Sequence, residues 1–232
     1  MKLAIMQPYF MPYIGYWQLI NAVDEFVLYD DVNYIKKGWI NRNRLLENNA
    51  PAYFNINLQG ASQNKHINEL KIMQDERTEK GMLRRISTCY KKAPYYGEIY
   101  PIIEKIVGFQ STDLVTYLMH SILCICEYLE IHTQIIKSAD IEKNNSLKGQ
   151  DKILEICKKL GADVYYNPIG GTELYDKEQF RKAGMELFFI KSDNIVYDQL
   201  DGEFVPWLSI IDVLMFNEKK VVQEYLEKYT LV

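Results

Sequence analysis

Apolar positions follow two alternating patterns along most of the chain. Leu3, Ala4, Ile5 and Met6 form a short unbroken run. A proline-containing loop follows, then Trp17, Leu19, Ile20 and Val23 at helical spacing, then a second run at Phe26, Val27, Leu28 and Tyr29. That order predicts a buried strand, a helix and a second buried strand, the opening βαβ unit of an α/β domain. Pro8 and Pro12 fix φ and remove two N–H donors, so residues 7–13 neither extend the strand nor form a helix throughout. Gly15 permits a sharp turn or a close backbone approach. Ligands of open α/β sheets bind beyond the carboxyl ends of the strands, which makes this loop the expected floor of a binding site.

Alternation at Phe54, Ile56 and Leu58 predicts a third strand over 52–58, after a short helix at Leu45 and Leu46. Residues 59–65 read as a loop and 67–73 as a further strand. From Arg77 the period lengthens. Met82, Ile86, Cys89 and Tyr90 mark a helix ending before Pro94, residues 100–107 a second with Pro101 in its first turn, and Leu114, Leu118, Ile122, Ile125 and Leu129 a third. The α/β alternation then returns. Strands are predicted over 133–136, 163–167 and 186–190, and helices over 148–160, 177–183 and 208–216, with Gly161 and Gly184 closing two of them. The expectation is one α/β domain over 1–232. Its mainly parallel sheet is flanked by helices, and a three-helix insertion covers about 77–130.

At 232 residues and 48% hydrophobic, the chain can bury a sizeable core. A net charge of −4 lowers the expectation of nonspecific nucleic-acid binding, which rests on phosphate neutralisation. Cys89, Cys124, Cys126 and Cys157 lack metal-finger spacing and read as reduced, buried thiols. No apolar run approaches the ~18 residues of a membrane span, and no signal-peptide pattern precedes the first strand. The expected protein is cytoplasmic, with no membrane insertion; a homo-oligomer is compatible with the sequence.

Three stretches carry candidate chemistry. The first loop offers Gln7, Tyr9, Tyr13, Gly15 and Tyr16. Its strand–loop–helix setting compares with the nucleotidyltransferase class and its Rossmannoid core, whose loop holds phosphates with two histidines. Here tyrosines stand at those places, and His66, His120 and His132 all lie elsewhere, so the scaffold compares while the catalysis does not. The second stretch begins at Asp30 and Asp31, adjacent carboxylates suited to a divalent ion or a base, against the plainer reading of a capped turn. It continues through Tyr34, Lys36, Trp39, Asn41, Arg42 and Asn43. Cations there suit a diphosphate, the indole suits a ring, and the amides suit hydroxyls. The third is the turn at Asn167, Gly170 and Gly171, whose N–H groups suit an anion. His66, in a loop before a predicted strand, is a further candidate base.

Gln7-Pro8-Tyr9-Phe10 and Pro12-Tyr13-Ile14-Gly15-Tyr16 resemble the opening signature of the WbqC-like protein family. The resemblance continues at Tyr29-Asp30-Asp31-Val32, at Tyr34 and over 36–43, and at Tyr90-Lys91-Lys92-Ala93-Pro94. It resumes around Gly161 and runs through Tyr166-Asn167 and Gly170-Gly171 to Leu208-Ser209-Ile210-Ile211-Asp212 with Phe216-Asn217. It implies a bacterial protein of O-antigen, capsule or other surface-polysaccharide biosynthesis. With the cationic, aromatic loop it leads to an expected transferase that places an acyl or aminoacyl group on the amine of a nucleotide-linked amino sugar. Asp30, Asp31 or His66 would be catalytic; Lys36, Arg42 and the Gly170-Gly171 turn would hold diphosphate; Trp39 would stack on a ring. A nucleotidyltransferase using ATP or CTP with Mg²⁺, and a noncatalytic sugar-nucleotide-binding scaffold, are the alternatives.

Overall fold

The computed structural model describes residues 1–200 and 202–232. Its centre is a six-stranded sheet built from β1 (Lys2–Met6), β2 (Glu25–Leu28), β7 (Gln134–Lys137), β8 (Val164–Pro168), β9 (Glu186–Ser192) and β10 (Tyr229–Leu231), in the order β10-β9-β8-β1-β2-β7. Every pairing is parallel except β10 on β9. The first strand therefore lies inside the sheet, and strand order reverses between β1 and β8.

Side-chain alternation divides the sheet into two faces. Leu3, Ile5, Val27, Tyr165, Leu187 and Phe189 point to one face, against Ile153, Ile156 and Cys157 of α5 (Gly149–Leu160) and Phe180 of α6 (Lys177–Lys182). Ala4, Phe26, Leu28, Tyr166 and Ile190 point to the other, against Trp17, Leu19 and Ile20 of α1 (Ile14–Asn21) and Val222 and Leu226 of α8 (Lys219–Leu226). Helices thus cover both faces, as a parallel sheet requires.

The helical insertion forms as expected, as α2 (Glu76–Tyr90), α3 (Tyr96–Val107) and α4 (Leu114–Leu129). Asp75 and Asp113 cap α2 and α4 by accepting the N–H groups of Thr78 and Thr116, 2.8 Å each. Helix α3 starts at Tyr96, so Pro101 sits in its second turn and forgoes one i→i−4 bond. Gly161 closes α5 in the left-handed region at φ 71°.

Other expectations are corrected. Leu45 and Leu46 lie in a strand, β3 (Arg42–Glu47), paired antiparallel with β4 (Ala50–Asn55) as a separate hairpin. Burial alternates over the first four residues of β3, and Leu45 gains a cross-strand partner in Ala52, which a two-residue apolar run does not disclose. The strand expected over 52–58 breaks after Asn55, and Leu58 enters β5 (Leu58–Gln59) opposite β6 (Lys71–Ile72). Ile67–Glu69 is a 3₁₀ turn. Helix α8 and strand β10 were not expected. Helix α7 (Ile210–Phe216) packs between α3, α8 and β3.

Candidate functional site

Residues 7–13 form a loop at the carboxyl end of β1 whose carbonyls are held from several directions. Tyr16 Oη donates to Gln7 O (2.9 Å), Trp17 Nε1 to Pro12 O (3.0 Å), and Asn43 Nδ2 to both Phe10 O and Met11 O (3.0 Å each). Ser209 Oγ, at the N-cap of α7, donates to Met11 O at 2.7 Å, and the Ile210 N–H to Pro12 O at 3.0 Å. This clamping sustains Met11 at φ 42°, a conformation unfavourable for a residue with a Cβ. Tyr16 and Asn43, expected at the ligand, are buried and spend these polar groups on the loop itself.

The clamped loop presents Tyr9 and Tyr13 outward. With Pro12, Trp39, Asn43, Arg44 and Trp207 they line an aromatic cleft of about 320 Å³. Tyr13 and Trp207 meet edge to face, 5.7 Å between ring centres at 67°. Burial, with a smaller contribution from Tyr13, pushes the Tyr9 phenol up to about 12, so it is a neutral donor near pH 7. The Arg44 guanidinium lies 5.4 Å from the Trp39 ring and donates to Trp207 O at 2.8 Å. Trp207 is 61% exposed and has φ 60°, rare for a bulky residue.

Tyr13 and Trp207 also border a cleft of about 790 Å³ at the ends of β8 and β9, lined by Gly15, Pro168, Ile169, Gly170, Lys191 and Asp193 among others. Here α1 begins: Tyr13 is its N-cap and makes no side-chain cap bond, so the first N–H groups of the helix have no side-chain acceptor at the cap. A Cβ on Gly15 would lie 2.5 Å from the Tyr13 ring, so the ring occupies space that only glycine leaves free. Gly171 is equally constrained: its Cβ would stand 2.0 Å from Asn167 Oδ1. Asn167 is buried and donates to Tyr165 Oη at 2.9 Å, so Asn167 and Gly171 shape the turn while Gly170 lines the cleft. This is the reversal point of the strand order, where α/β sheets open a crevice.

Asp30 and Asp31 turn away from these clefts. Asp30 is 1% exposed; its Oδ1 accepts the Ala139 N–H at 2.9 Å, its carbonyl accepts the Asn68 N–H at 3.0 Å, and burial raises its pKa. It holds two loops together. Asp31 Oδ2 accepts both Lys143 Nζ (2.9 Å) and Lys152 Nζ (3.0 Å). Burial works to raise the Asp31 pKa, but Lys143, Ser138 and Lys152 together outweigh it and hold the carboxyl below its usual value. Asp31, Lys143 and Lys152 line another cleft, of about 540 Å³, at the ends of β2 and β7, with Tyr29 and the exposed His66 on its wall. Its lining residues differ entirely from those of the two clefts around Tyr13 and Trp207.

The 33–43 loop divides similarly. Tyr34 Oη donates to Asn41 Oδ1 (2.8 Å) and Asn41 Nδ2 to Ile56 O (2.9 Å), fixing the loop internally. Arg42 Nε donates to Gly38 O at 3.0 Å and Nη2 to Lys37 O, while its guanidinium covers the Tyr53 ring at 4.4 Å. Lys36 is exposed and, like Arg42, lies outside the linings of these three clefts. Among the described residues no group of three or more His, Cys, Asp or Glu converges as a metal-holding set; of the two carboxylates considered for Mg²⁺, Asp30 accepts the Ala139 N–H and Asp31 faces two ammonium groups.

Sequence reasoning missed Arg44, Lys143, Lys152, Asp193 and Trp207. Trp207 had one available signal, a lone aromatic behind Pro206 just before an apolar helix. The lysines had none, because their shared carboxylate is more than a hundred residues away.

A model of the WbqC-like protein family matches residues 7–224. The chain is also similar to an uncharacterized protein, Rv1507c, of Mycobacterium tuberculosis (strain ATCC 25618 / H37Rv), at 28% identity over 227 residues and 97% of each chain. No solved structure gives a significant match. The matched span runs from the first loop through the helical insertion and into α8, nearly the whole molecule, and the chain therefore belongs to the WbqC-like protein family.

Proposed function

We propose that this protein is a transferase of bacterial surface-polysaccharide biosynthesis that acts on a nucleotide-linked amino sugar and places an acyl or aminoacyl group on its amine. The observation that carries the reading is the pair of clefts sharing Tyr13 and Trp207. One has flat aromatic walls suited to a base or a pyranose ring. The other receives the N-terminus of α1, whose N–H groups and dipole favour a diphosphate. Their combined shape suits a ligand with a ring at each end of a charged linker. Trp39 and Trp207 take the stacking role, and the α1 N-terminus with the Gly170 turn takes the diphosphate. Lys36 and Arg42 are not needed for it. In the transfer, the amine attacks the acyl carbonyl, an N–C bond forms, the donor's leaving group departs with its electron pair, and the amine loses a proton. Asp193, a carboxylate lining the larger cleft, is the base assigned to that proton.

The test is thermal stabilisation by dTDP- and UDP-linked amino sugars, against ATP and CTP with and without Mg²⁺. A ligand that binds only the folded state raises Tm by mass action. The reading expects a shift with an amino-sugar nucleotide that Trp207→Ala abolishes, and turnover when an acyl donor is added. A Mg²⁺-dependent shift with ATP or CTP alone would replace it with nucleotidyl transfer. Binding without turnover for any donor would replace it with a scaffold role.

A further inference from the structure

The cleft at the ends of β2 and β7 has a charge that its own residues do not balance. Lys143 and Lys152 have side chains only 2% and 7% exposed, and both ammonium groups rest on the one Asp31 oxygen. Lys143 spends its three protons inside the protein, on Asp31, Ser138 O and Ile141 O. Lys152 donates only to Asp31, at Oδ2 and at the carbonyl, and lies 5.2 Å from the centre of the Tyr29 ring. Buried charges persist when paired, and this triad carries one positive charge without a partner. Lys148, exposed at the rim, adds another, and among the described residues lining the cleft Asp31 is the one acid. The excess arises in a chain whose net charge is −4. Gly149, the first residue of the twelve-residue α5, also lines the cleft, so the positive end of that helix adds to the same field.

We infer that this cleft is a second ligand site, for the phosphate group of a small phosphorylated molecule, held by Lys152, Lys148 and the start of α5. A phosphate monoester, with a charge near −2, matches the excess of two lysines. The volume of about 540 Å³ exceeds what a phosphate fills, and Tyr29, Val32 and Leu147 offer apolar wall to an organic remainder. Asn33, Asn68 and Asn145 supply amides for its hydroxyls or carbonyls. The inference does not depend on the nucleotide-sugar reading, because the two regions share no lining residue.

The test is calorimetric titration of the whole chain with inorganic phosphate, pyrophosphate and acetate at low ionic strength, for wild type, Lys148→Glu, and Lys80→Glu as a charge-matched control at an exposed position of α2. Phosphate or pyrophosphate should bind, Lys148→Glu should weaken it at least tenfold, and Lys80→Glu should leave it unchanged. Lys152→Met gives a second readout of opposite sign. It removes the unpaired charge and leaves a balanced Lys143–Asp31 pair, so without phosphate its Tm should equal or exceed that of wild type, and added phosphate should no longer raise it. Absence of binding, equal weakening by both Glu variants, or acetate binding as well as phosphate would overturn the inference. So would a Lys152→Met protein less stable than wild type without phosphate that still gains from phosphate.

Discussion

Gly15 and Trp207 define the aromatic clefts by opposite means, one by lacking a side chain and the other by holding one in a costly backbone conformation. Gly15→Ala places a methyl where the Tyr13 ring lies. The ring is the part free to move, so the variant should keep its fold, lose about 1 kcal/mol or less, and bind nucleotide sugars at least tenfold more weakly by calorimetry. At Trp207, φ 60° costs of order 1 kcal/mol that glycine would not incur. Trp207→Gly should therefore change the urea-unfolding free energy by no more than about 1 kcal/mol while abolishing the ligand-induced Tm shift. Asp31 behaves differently. Asp31→Ala leaves two buried ammonium groups with no carboxylate and should cost about 3–5 kcal/mol, measured by urea unfolding. The depressed Asp31 pKa also fixes a sign: the stability it contributes is present above its unfolded value near 3.8 and is lost as pH falls through the lower folded value.

Elements are joined at a buried carboxylate on α7. Asp212 is fully buried; Tyr90 Oη donates to its Oδ1 (3.0 Å), and Tyr197 Oη and Gln199 Nε2 donate to its Oδ2 (2.7 Å each). Tyr90 Oη also accepts the Leu46 N–H at 2.9 Å, so α2, α7, β3 and the stretch carrying Tyr197 and Gln199 meet at one point. Asp212→Ala would orphan three donors and should destabilise by about 3 kcal/mol or more. Burial raises the Asp212 pKa, so the folded chain holds this proton more tightly than the unfolded one. Stability from the protonated form is fully present below the unfolded value near 3.8 and disappears as pH rises through the folded value. Wild type should accordingly gain stability relative to Asp212→Asn as pH is lowered through that raised value toward 3.8, in paired urea titrations.

This network also explains what was legible in the sequence. Tyr90, Ser209 and Asp212 could be picked out by family resemblance, and each has a side chain that bonds a segment far away in the chain. Their partners could not be read, because spacing along a chain carries no information about contacts between residues 46 and 90 or 11 and 209. The period-2 and period-3.6 runs gave five of the six strands of the central sheet and the three-helix insertion, since burial of one face imposes those periods. They failed at β3, where Leu45 and Leu46 are adjacent apolar residues, at β5 and β6, which are two residues long, and at α8 and β10. The two-cleft division was hidden for a related reason. Asp30 and Asp31 follow a strand beside β1, yet β7 and α5, not β1, decide which way they face.

At the scale of the molecule, the terminal elements complete the sheet layer that carries α1. Gln18, buried in α1, donates to Tyr225 O and Lys228 O at 2.8 Å each, and β10 covers the edge of β9. Removing residues 219–232 would uncover the α1 face and open a strand edge to pairing with other chains. That truncation should yield no cooperative thermal transition and should be recovered as aggregate by size-exclusion chromatography.

The interior placement of β1 has a consequence for synthesis. Strand β1 can pair with β2 almost at once, but β2 awaits β7, roughly 100 residues later, and β1 awaits β8 later still. At about 5–20 residues per second, a two-stranded apolar ribbon stays open on both edges for on the order of 10 s, while the three helices of the insertion are made. A nascent chain in that interval depends on the helices packing early over one face, or on a chaperone shielding the ribbon. Slowing translation within 77–130 should then lower the soluble yield of an otherwise unchanged protein.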